Sequence, residues 1–187
     1  MNLRFNSRYE ATGEGIQIMS EIEDTPGEDR AISMYFALPI SASDGRLRWY
    51  DDVRKSRAAT GANDLISLPK PPSGNPASAG AYGLHSHYAL CAMSNDKAGI
   101  SLSIPLDRPS YYRLAYSPST QLLYLVYDFA LTPATKKFPS KAAFSFNIVS
   151  IDPKWGFRSA LERYYAGFPQ FFAKRIKHEG IWVYEDI

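Results

Sequence analysis

The chain has 187 residues, 45% of them hydrophobic, which suffices for one large domain, or one domain with an appended element, around a continuous core. Twenty-one Lys and Arg against nineteen Asp and Glu leave a formal charge of +2, so the basic stripe that nucleic acid demands is missing and no nucleic-acid partner is expected. Cys91 is the single cysteine, so no internal disulfide can form; it is expected as a buried thiol. No uncharged stretch approaches the roughly 20 residues that span a bilayer, so no membrane partner is expected either.

Strand signals dominate the first 150 residues. Short strands are expected over 3–9 and 15–23. In 31–40, Ile32, Met34, Phe36, Leu38 and Ile40 alternate with Ala31, Ser33, Tyr35 and Ala37, placing the large aliphatic groups on one face at period two. The stretch between Leu65 and Tyr82 is crowded with Pro, Gly and Ser (Leu68-Pro69-Lys70-Pro71-Pro72-Ser73-Gly74-Asn75-Pro76) and reads as a long surface loop. A weaker strand follows over 84–94. Ile100, Leu102 and Ile104 then alternate with Ser101 and Ser103 up to Pro105, which cannot donate to a ladder. Residues 111–117 and 121–131 form a hairpin turning at Ser117-Pro118-Ser119-Thr120. Its second strand is apolar on both faces and is expected to be central and covered on two sides. Phe144, Phe146 and Ile148 share one face of a last strand over 141–151.

Beyond Pro153 the period changes. Phe157, Leu161, Tyr164 and Phe168 fall at i, i+4, i+7 and i+11, the apolar stripe of a helix. Pro169 opens a second helical segment with Phe172 and Ile176, which Gly180 can end. The fold class is therefore mainly β: an antiparallel β-sandwich over residues 1–152 with a C-terminal helical segment over 153–187.

Two sets of polar and aromatic residues could touch a ligand. Trp49, Tyr50, Asp51, Asp52 and Arg54 place aromatic plates beside carboxylates and a guanidinium, a combination that stacks on sugar rings and bonds their hydroxyls, or that simply forms a salt-bridged turn. The adjacent carboxylates do not suit glycosidic cleavage, which needs two groups roughly 5 to 9 Å apart across one bond; neighbours in a strand face opposite ways. His85 and His87 share a strand face, the second candidate glycan surface. Cys91 lies about 13 Å further along that face, too far to complete a metal site with them. No metal, cofactor or catalytic residue is assigned, since no phosphate-cradling glycine loop, CxxC or G-x-S-x-G elbow is present. Trp155, Phe157, Leu161, Tyr164 and Phe168 read as docking or domain-interface residues, with Trp155 seating the helix on the sheet. Trp182 is expected to pack against a further domain.

Arg48-Trp49-Tyr50-Asp51-Asp52-Val53-Arg54, Gly99-Ile100-Ser101-Leu102-Ser103-Ile104-Pro105-Leu106-Asp107 and Trp155-Gly156-Phe157-Arg158-Ser159-Ala160-Leu161, followed by Tyr164-Tyr165 and Phe168-Pro169, carry a resemblance. They resemble the N-terminal, galactose-mutarotase-like β-sandwich and following linker helix of uncharacterised bacterial glycoside-hydrolase-like proteins. The resemblance implies a supersandwich-like accessory domain with carbohydrate as an expected partner, leading into a downstream catalytic domain, with this chain a fragment. The His and Glu that mutarotases use find no match at His85, His87 or any Glu here. Three functions follow as expectations: an accessory, non-catalytic or cleft-completing sandwich, a structural or protein-interaction sandwich, and a mutarotase-like epimerase. An exported parent would place the chain in the periplasm or outside the cell, and any other parent in the cytoplasm.

Overall fold

The computed structural model describes residues 2–13, 15–41, 46–71 and 80–173. Among these residues twelve strands form two sheets. One runs β1 (Leu3–Thr12), β2 (Gly15–Asp24), β12 (Lys141–Ile151), β9 (Gly99–Ser103), β8 (Leu90–Ser94), β4 (Arg48–Tyr50), β5 (Arg57–Ala58). The other runs β3 (Arg30–Pro39), β11 (Leu122–Leu131), β10 (Arg113–Ser117), β6 (Leu65–Pro69), β7 (His85–Ser86). Every pairing is antiparallel except the short parallel contact of β6 with β7. The chain is thus an antiparallel β-sandwich with short C-terminal helices α1 (Phe157–Ala166) and α2 (Pro169–Phe172).

The period-two pattern explains how the layers meet. On β3 the residues Met34, Phe36 and Leu38 pack into the core while Tyr35 stays exposed. Opposite them, Phe144 and Phe146 of β12 reach across: Phe36 and Phe146 ring centroids stand 4.6 Å apart, and Tyr127 and Phe144 stand 5.0 Å apart. Tyr127 also donates its hydroxyl to Ser145 O at 2.8 Å, a buried bond that ties β11 in one sheet to β12 in the other. Cys91 faces this core and is fully buried, and burial pushes its thiol up.

The hairpin over 111–131 forms as β10 and β11, with Gln121 in the left-handed region at φ 56°. β11 lies between β3 and β10. Cover on its two faces is unequal, however: Leu123, Leu125 and Tyr127 of the inner face are buried, whereas on the other face only Val126 is buried, Leu122 and Tyr124 are half-buried and Asp128 is exposed. The expectation of cover on two sides fails because no layer lies outside the smaller sheet among the described residues. Two further readings change. The loop over 65–82 begins as strand β6, and the strand over 84–94 is two strands in different sheets, β7 and β8. Residues 72–79 of that loop lie outside the described residues.

The outer face of the larger sheet carries α1. Phe157, Ala160, Leu161 and Tyr164, joined by Phe168, pack on Leu90, Ala92 and Ile151. Tyr164 fastens the helix by donating to Ile104 O at 2.7 Å. Among the described residues no helix is long and apolar enough to cross a membrane.

Candidate functional site

Strand alternation divides the Trp49 to Arg54 set. Trp49 pairs with Met93 and points into the core at 0% exposure, while its neighbour Tyr50 pairs with Ala92 and points to the outer face. Asp51 turns inward again and is also 0% exposed; Asp52 is only partly covered. Trp49 and Asp51 are therefore not surface contacts, which corrects their expected glycan-touching role. Asp52 Oδ1 accepts the Arg54 N–H at 2.6 Å, a tight turn that sends Arg54 into solvent.

Asp51 sits in an incompletely paired interior. Both of its carboxyl oxygens, Trp49 Nε1 and the Nε and a terminal nitrogen of Arg57 are buried without a hydrogen-bond partner. Arg57 stands 3.9 Å from Asp51 Oδ2. Burial pushes the Asp51 carboxyl up to about 6; Trp49 and Arg57 oppose the rise and the Asp52 charge adds to it. The main-chain oxygen of Asp51 accepts from Ser86 Oγ at 2.8 Å, which pins β7 to this turn.

The outward members of the set meet the start of α1. Tyr50, Asp52 and Arg54 line a shallow cleft of about 130 Å³ together with Trp155 and Arg158. Trp155 does not seat the helix on the sheet as expected, since it is 57% exposed. Gly156 is the reason: its φ of 51° and ψ of −122° reverse the chain, so Phe157 takes the buried place and the indole is turned out. Lys154 Nζ lies 5.9 Å from the indole ring centroid. Arg54, Lys55 and Arg158 face a single carboxylate, Asp52, in this lining, so the cleft is cationic. Arg158 was not singled out from the sequence; its main-chain N–H donates to Trp155 O at 3.1 Å, which brings the two residues together across the Gly156 turn.

The histidines belong elsewhere. His85 Nδ1 donates to Pro69 O at 3.2 Å, and Lys70 Nζ lies 3.4 Å from His87 Nε2. His87, Lys70 and Tyr112 line a separate groove of about 500 Å³ to which no described carboxylate contributes. His85 and Cys91 lie in different sheets, so the shared strand face expected of them does not exist. Among the described residues no group of three His, Cys, Asp or Glu side chains is placed to hold a metal ion. Phe157, Leu161, Tyr164 and Phe168 are buried against the sheet; Trp182 and the second helix beyond Ala173 lie outside the described residues.

No protein-family model matches the sequence, and no curated protein matches it. Among solved structures the chain is similar to a galactose mutarotase-like protein from Lactobacillus casei ATCC 334, at 11% identity and a TM-score of 0.46. The match covers 79% of this chain and 63% of that one, so the chain spans less than two thirds of that structure's length.

Proposed function

We propose that this chain is a non-catalytic β-sandwich module of a carbohydrate-active protein and that it holds an acidic carbohydrate in the cleft between β4 and α1. The observation that carries the reading is the exposed Trp155 indole standing beside Tyr50, Asp52, Arg54 and Arg158. An indole face takes up the C–H side of a sugar ring, and Asp52 accepts from ring hydroxyls. The surrounding Arg and Lys side chains favour a carboxylated or sulfated sugar over a neutral one. The accessory part of the reading takes its support from the C-terminal helices, where Tyr165, Phe171 and Phe172 are exposed.

The test is calorimetric titration with a uronate oligosaccharide and with a neutral oligosaccharide of equal length. The uronate is expected to bind measurably and to weaken as salt rises. Trp155→Ala and Arg158→Ala are each expected to weaken it about tenfold, the loss of one stacking or charge-assisted contact. Equal binding of both sugars, or uronate binding indifferent to Trp155→Ala, overturns the reading.

A further inference from the structure

We propose that β1 is a self-complementary edge and that two copies of this chain join through it, pairing antiparallel about Ser7 so that their larger sheets become one continuous sheet. β1 ends the sheet among the described residues, is ten residues long and contains no proline, so it offers an uninterrupted row of main-chain donors and acceptors.

Which of its groups face outward follows from the pairing with β2. Thr12 and Gly15 close a two-residue hairpin, and at the far end Thr25 N–H donates to Asn2 O at 3.0 Å. Even-numbered residues of β1 therefore bond to β2. The N–H and C=O groups of Leu3, Phe5, Ser7, Tyr9 and Ala11 point away from it. An antiparallel partner must match odd residues with odd ones.

Side chains then select the register. With Ser7 opposite Ser7 of the second copy, residue i meets residue 14 minus i. Arg4 faces Glu10 and Glu10 faces Arg4; Phe5 faces Tyr9 and Tyr9 faces Phe5; Leu3 faces Ala11. Opposite charges and aromatic pairs across strands are the favourable combinations. Moving the centre by one residue in either direction sets Arg4 against Arg8 or Arg8 against itself. Centring on Tyr9 again matches charges, Arg8 with Glu10, but shortens the overlap. Of the charge-matched registers, only the one centred on Ser7 pairs nearly the whole strand, adding about ten main-chain hydrogen bonds.

The exposed rings support the same occupant. Phe5 is 49% and Tyr9 65% exposed, and both lie on the face that β2 uses for the core, because the smaller sheet does not extend over β1. Among the described residues Phe5 has only Phe144 as a ring neighbour, with centroids 6.3 Å apart. Two cross-strand Phe5–Tyr9 pairs would form in the dimer, giving each of these rings a partner. On the opposite face Arg4 already meets Glu23 at 3.2 Å and Arg8 meets Glu10, so the new pairs extend existing ion pairs across the two-fold axis.

The test is sedimentation of the full chain over a concentration series. Wild type is expected as a reversible dimer. Ser7→Pro is expected to be monomeric with an unchanged circular dichroism spectrum, since the Ser7 N–H faces outward and is not spent on β2. Arg4→Glu alone sets Glu against Glu twice, and Glu10→Arg alone sets Arg against Arg twice, so each is expected to dimerise at least about tenfold more weakly. Mixed together, those two variants are expected to form a heterodimer, since every facing pair is then opposite in charge. A monomeric wild type overturns the proposal, as does a dimer that Ser7→Pro leaves intact. A dimer whose single charge variants fail to recombine overturns the Ser7 register. Failure of the sugar-binding reading leaves these outcomes untouched.

Discussion

Asp51 is where burial and charge conflict most directly. Its carboxyl ordinarily titrates near 3.8 and is pushed up to about 6, so folding takes up a proton between those values. Below 3.8 both folded and unfolded chains carry the proton and nothing is lost. As pH rises to about 6 the unfolded chain ionises first, and stability falls by roughly 3 kcal/mol, the equivalent of about two pH units. Asp24 runs the other way. Burial alone would raise it, but the Glu28 N–H at 2.6 Å and the Arg30 guanidinium at 2.6 Å win and hold it below its usual range. Its contribution is therefore lost as pH falls. Asp51→Asn separates the two: the variant should be more stable than wild type at pH 8 by up to ~3 kcal/mol, with the gap closing by pH 4. Urea unfolding at both pH values measures this. A variant less stable at pH 8 would make the Asp51–Arg57 pair a net stabiliser instead.

At the scale of elements, the junction between β12 and α1 decides what the cleft contains. Gly156 holds a conformation, φ 51° and ψ −122°, that a side chain strongly disfavours, and a Cβ there would lie 3.2 Å from the Tyr50 ring. Gly156→Ala is expected to cost about 1–3 kcal/mol and to shift Trp155 fluorescence, since the indole direction depends on this turn. Gly167 makes the control. Its φ of −70° suits any residue and a Cβ would meet nothing closer than 3.5 Å, so Gly167→Ala should be neutral or raise the melting temperature. If both alanines cost the same, the Gly156 conformation is not what sets the turn. Helix α1 was legible because its apolar stripe has the helical period, and β3, β9 and β12 because theirs has the strand period. The inward positions of Trp49 and Asp51 were within reach of the same rule, because period two forces them to one face and Tyr50 to the other. Nothing in Trp155 itself, by contrast, signals that it is turned out, since that depends on a backbone angle at the next residue.

For the whole molecule, the sandwich class follows from counting strands and turns, but the order of strands in the sheets does not. β4, β5 and β7 are two or three residues long, too short to show a period, and β12 sits between β2 and β9 by contacts distant in sequence. The same blindness affects the helices, which as sequence look like an appendage to the sandwich. In the fold, α1 covers Leu90, Ala92 and Ile151, and Tyr164 bonds the Ile104 O just past the end of β9. A chain ending at Asp152 would leave those three side chains and that carbonyl open to water. It is expected to lose a few kcal/mol of stability, to unfold at lower urea and to bind a hydrophobic dye that the full chain does not. Tyr164→Phe in the full chain should reproduce a small part of the loss, about 1–2 kcal/mol, by leaving the Ile104 oxygen unpaired. An unchanged urea midpoint for the shortened chain would mean that residues beyond 152 contribute nothing to the sandwich and act as a tether alone.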